Sequence, residues 1–101
     1  MDTNTLVQTI MNAAKHAFTP IGQKVIQNEL VTHASAGTSI RFVMPPEIMV
    51  CGRCTHAPNY TPSCTDLVVD FATNTCRIER DTVGEMVGFE IDPASIEFAT
   101  R

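Results

Sequence analysis

Long apolar runs are missing from this chain of 101 residues. No segment approaches the ~20 consecutive apolar residues that a membrane-spanning helix requires. Positive charge is scarce: the seven lysines and arginines form no cluster. Neutralising a phosphate backbone takes such a cluster, so direct nucleic-acid binding is not expected. The first residues, Met1-Asp2-Thr3-Asn4, are acidic and polar where a secretory leader would be basic, and Gln8, Thr9 and Asn12 break up the apolar positions that follow. No leader is expected, and the predicted location is cytoplasmic. Also absent are a nucleophile elbow, a phosphate-binding glycine loop and a His-Glu-x-x-His helix. Catalysis would need a pocket that a domain of this size seldom builds alone. The sequence therefore reads as a non-enzyme.

What is present describes an ordinary globular protein, 44% hydrophobic and 18% charged, and one domain over residues 1–101. A core this small leaves a large relative effect for a metal or an oligomer contact. Charge is unevenly spread. Residues 1–46 hold Lys15, Lys24 and Arg41 against Asp2 and Glu29, a net of +1. Residues 47–101 hold nine acids and four arginines, a net of −5.

Leu6, Val7, Ile10, Met11, Ala14, Ala17 and Phe18 recur at helical spacing over residues 5–18. Thr3, Asn4 or Thr5 can cap that helix. Thr19-Pro20 restarts a second helix to about His33, predicted to bury Ile21, Val25, Ile26 and Leu30. From residue 38 the period becomes two. Ile40, Phe42 and Met44 mark one strand, and Glu47 to Val50 a short second one beyond Pro45-Pro46. Leu67, Val69 and Phe71 face inward on the next, and turn residues 72–75 lead into a return strand. A last strand covers Val83 to Ile91, interrupted by Gly84 and Gly88, and Asp92-Pro93 opens a helical turn or an extended tail. The fold class is α+β: two N-terminal helices on one face of a four- to five-stranded, mainly antiparallel sheet with a cysteine-anchored loop.

Four cysteines, Cys51, Cys54, Cys64 and Cys76, fall within 26 residues. Zinc takes four thiolate or imidazole ligands at tetrahedral angles, and a C-x2-C pair folded into a tight turn supplies one edge of that tetrahedron. Cys64 and Cys76, brought together by the hairpin, would supply the other. The alternative set replaces Cys76 by His56. Disulfides, unligated core cysteines and an iron–sulfur cluster are the competing readings, with Cys76 the doubtful ligand. A redox role for Cys51-Gly52-Arg53-Cys54 is disfavoured, because Pro58 and Pro62 prevent the helix that activates such a pair. His16 and His33 read as surface residues. Asp66, Asp70 and Glu79 read as solvated carboxylates.

The main functional expectation is a zinc-stabilised protein–protein interaction module, an adaptor or inhibitor. It would present the loop 52–63, through Arg53, His56 and Tyr60, or an acidic strand face carrying Glu85 and Glu90. Met44 and Met49 would add apolar contact. A partner with a basic surface fits the acids between Asp81 and Thr100. The alternatives are a subunit of a homo-oligomer and a small zinc enzyme with an open metal position.

Overall fold

Asp2 and Thr19 set the two helix starts. In the computed structural model, which describes residues 1–81 and 85–100, α1 spans Thr3–Ala14 and α2 spans Pro20–Ala36. The Asp2 carboxylate, rather than one of the three residues after it, caps α1 by accepting from the Thr5 amide at 2.7 Å. Thr19 caps α2 through the Gly22 amide at 3.1 Å, with Pro20 in the first turn as its missing donor allows. Gly37 ends α2 in the left-handed region at φ 66°, where its amide reaches the His33 and Ala34 carbonyls.

Leu6, Ile10 and Ala14 form the buried stripe of α1. On α2 only Leu30 is fully buried, while Ile21 and Val25 are 79% and 57% exposed. The expected burial of those two residues does not occur. The nine positions from Ile21 to Leu30 are about two and a half turns, so the two residues leave the helix in opposite directions.

Six strands follow: β1 Ser39–Val43, β2 Ile48–Cys51, β3 Ser63–Asp70, β4 Thr75–Asp81, β5 Met86–Ile91 and β6 Glu97–Thr100. All pairings are antiparallel, in the order β5-β4-β3-β2-β6. β1 and β2 lie one after the other along the same edge of β3, divided by Pro45-Pro46. The turn between β3 and β4 places Asn74 at φ 54°, a conformation asparagine tolerates. The expected last strand begins in residues 82–84, which lie outside the described residues. Gly88, at φ 64°, sits in the irregularity between Ile78↔Phe89 and Arg80↔Met86. Asp92 caps a 3₁₀ turn, Pro93–Ser95, that redirects the chain into β6.

The helices cover one face of the sheet. Leu6, Ile10 and Leu30 share a single buried cluster with Val50, Leu67, Val69, Ile78, Ile91 and Phe98. Phe18 closes its end by meeting Phe98 edge-on at 5.3 Å between ring centres. Met44, expected as an outward contact, is buried in this cluster.

Candidate functional site

The segment after β2 decides how the candidate residues are arranged. Cys51 lies opposite Ser63 in the β2–β3 pairing. The same register continues beyond it: Gly52 N–H donates to Pro62 O at 3.3 Å and Cys54 N–H to Tyr60 O at 3.1 Å. Cys51-Gly52-Arg53-Cys54 therefore runs extended instead of folding back into a knuckle, and the tight turn falls at 57–60, where Tyr60 N–H reaches Ala57 O at 2.8 Å. The loop is a hairpin held by its own backbone hydrogen bonds. Cys54 is tucked beneath it in a bridge to Ile91.

Thr55 N–H donates to Glu90 O at 3.1 Å and Asp92 N–H to Arg53 O at 2.9 Å. These bonds join the hairpin to the end of β5, so the sheet curls until its far strand meets the continuation of β2. Gly52 makes the approach possible. A Cβ there would stand 2.5 Å from Ile91 Cδ1 and 3.1 Å from Ile91 Cβ. Asp92 completes the seam, its carboxylate accepting from Arg53 Nη2 at 2.9 Å and from Ala94 N–H at 3.0 Å. Ser95 Oγ accepts from Arg53 N–H at 2.6 Å.

The four cysteines do not converge on one point. Cys64 faces Asp81 near one end of β4, whereas Cys76 faces Val69 near the other. Five positions along a strand are on the order of 16 Å, and two sulfurs on one zinc lie within about 4 Å. Cys76 therefore cannot share an ion with Cys64 in this fold. All four thiols are free of disulfides. Among the described residues no group of three or more His, Cys, Asp and Glu side chains is placed to hold a metal ion. Burial raises the thiol pKa of Cys64, whose Sγ donates to Asp66 O at 3.0 Å, and pushes Cys76 up to about 12. Cys51 is raised by burial and then by the Glu97 carboxylate. These three stay protonated at neutral pH.

The expected contact residues are brought together more closely. Arg53, His56 and Tyr60 belong to the hairpin, and Glu90 belongs to the strand that receives it. Tyr60 is half exposed and leans on Phe89, 5.6 Å between ring centres at a 60° tilt. His56 and Glu90 are exposed, as is Glu85 just before the opposite end of β5. Glu97 is a further exposed acid, beside Cys51 on β6.

No family model, curated protein or solved structure matches the chain. The reading of its surface rests on its own geometry.

One group was misjudged from the sequence. Asp66 and Glu79 are only 3% and 8% exposed, not solvated. Glu79 is clasped by Arg41 Nη2 and by Arg77 Nε, the latter at 2.6 Å, and Arg80 Nε stands 3.6 Å from Asp66 Oδ2. Buried carboxylates need such partners to offset their lost hydration. The signal lay in strand parity, which sends Arg41 and Arg77 outward on either side of Val68.

Proposed function

We propose that the chain is a non-enzymatic protein–protein interaction module, an adaptor or inhibitor, whose contact surface is the hairpin 52–62 seated on β5. The supporting observation is the convergence of Arg53, His56, Tyr60 and Glu90 on one surface locked to the sheet at both Thr55 and Arg53. A fixed hairpin loses little conformational entropy on binding, and a half-exposed tyrosine backed by a second aromatic suits an interface anchor. Glu85, Glu90 and Glu97 give the surroundings an acidic character that favours a basic partner and salt-sensitive association. Among the described residues no helix is long and apolar enough to cross a membrane.

Zinc belongs to this proposal only as a stabiliser of the hairpin, held by Cys51 and Cys54 with Cys64 or His56, since Cys76 is out of reach. Metal analysis of protein purified under reducing conditions tests that part, and a metal-free folded chain removes it.

A photo-cross-linker at position 60, used in extracts of the native host, is expected to trap a different protein. The yield should fall with added salt and with Glu90→Lys. Absence of any cross-link would overturn the reading. Cross-links between copies of the chain would select a second reading, a subunit of a homo-oligomer, which the exposed Ile21 and Val25 of α2 favour. Light scattering showing a monomer at working concentration would remove that alternative.

A further inference from the structure

On the sheet face away from the helices, Arg41 of β1, Val68 of β3 and Arg77 of β4 lie in one row. Val68 is buried although it stands outside the main core cluster. Its flanking neighbours in the row are the two arginines. Each guanidinium is bonded to Glu79 beneath, yet the side chains remain 45% and 41% exposed. Arg77 spends Nε on Glu79, which leaves both Nη groups, the fork that takes the two oxygens of a carboxylate. Among the described residues neither Nη of Arg77 has a partner. With Arg80 held on Asp66, three guanidiniums stand against two carboxylates, a local positive excess in a chain of net charge −4.

We propose that this face is a docking surface for an acidic segment of another protein, with Arg41 and Arg77 as its anchors. Glu79 has already removed much of the rotamer freedom that two arginines would otherwise lose on binding, a property of interface hot spots. Other charges on the face narrow the partner. Glu90 lies opposite Arg77 on β5, and Asp70 one row along opposite Thr75. Both repel a continuous phosphate backbone, whereas a protein segment can set a carboxylate over the arginines and a neutral or basic side chain beside Glu90. Exposed Val43, two residues from Arg41 on the same side of β1, offers an apolar contact.

The test uses the full chain labelled with nitrogen-15 and two peptides, one alternating Glu and Val and the other Gln and Val, with a single-stranded oligonucleotide as a third probe. The Glu peptide is expected to shift the Arg41 and Arg77 Nε–H signals and the amides of residues 39–43, 66–70 and 75–80 saturably, and the Gln peptide to leave them in place. Arg77→Lys and Arg41→Lys should each weaken the Glu peptide about tenfold by losing the planar fork, with amides elsewhere undisturbed. Should either variant fail to fold, the wild-type comparison of the two peptides decides alone. Equal response to both peptides, no response, or a response to the oligonucleotide without one to the Glu peptide would overturn the proposal.

Discussion

Replacing Gly52 by alanine sets a methyl group against Ile91 at the seam where the hairpin meets β5. The new carbon would lie 2.5 Å from Ile91 Cδ1, 3.1 Å from its Cβ and 3.3 Å from its Cγ1. Ile91 is 1% exposed within the core, so its Cδ1 has little space to enter and its Cβ moves only with the strand. Overpacking of this kind destabilises by about 1–3 kcal/mol. The substitution also restricts the unfolded chain, which offsets about 0.4–1 kcal/mol. The net expectation is a loss of about 1–2 kcal/mol by urea unfolding with an unchanged m-value. Ile91→Val removes Cδ1 and alone costs about 0.5–1.5 kcal/mol. Because it clears the shortest contact, the double variant should be more stable than the sum of the two losses by about 1 kcal/mol. Strict additivity, or a Gly52→Ala protein as stable as the parent, would refute the seam's geometry.

Glu79→Ala removes the acceptor shared by Arg41 and Arg77. Charge-assisted hydrogen bonds are each worth about 1.5–3 kcal/mol, but both arginines can rehydrate, so a loss of about 1–2 kcal/mol in total is expected, or a midpoint drop of about 4–16 °C by calorimetry. Cys76 holds its proton to about 12 against a usual value of 9.0. Its folded-state pKa is raised, so its contribution is complete below pH 9 and is lost as pH climbs from 9 to 12. Across that window the parent should lose up to about 1.4 kcal/mol per pH unit more than Cys76→Ala does, measured by denaturant titration at each pH. Equal slopes would show that the thiol is not buried as described. Asp92→Ala removes both the cap of the 3₁₀ turn and the partner of Arg53. It should cost about 1–2 kcal/mol and speed amide exchange at Asp92 and Thr55 first.

Local chemistry made much of the fold legible. Thr19-Pro20 and Gly37 marked the limits of α2, and the alternation of Leu67, Val69 and Phe71 gave β3 its inward face. What escaped was set by partners distant in sequence. β6 is four residues long, too short for its alternation to stand out, and it exists through pairing with β2. Ile21 and Val25 carry the periodicity of a buried face, but α2 meets its neighbours chiefly through Ile26, Leu30 and Ala34. Around the cysteines, spacing alone allowed a knuckle at 51–54; backbone pairing with residues 60–62 drew the segment straight. Asp66 and Glu79 looked like surface carboxylates because their guanidinium partners come partly from another strand.

The seam between the hairpin and β5 also orders assembly in time. Arg53 and Asp92 are 39 residues apart, and translation proceeds at roughly 5–20 residues per second. For roughly 2–8 s of synthesis the outward amide and carbonyl groups of residues 53–55 await partners that have not yet been made. The inward groups of Gly52 and Cys54 have no such wait, since Tyr60 and Pro62 follow within ten residues. The hairpin's own ladder can thus form first and hold that edge in shape until β5 arrives to cover it.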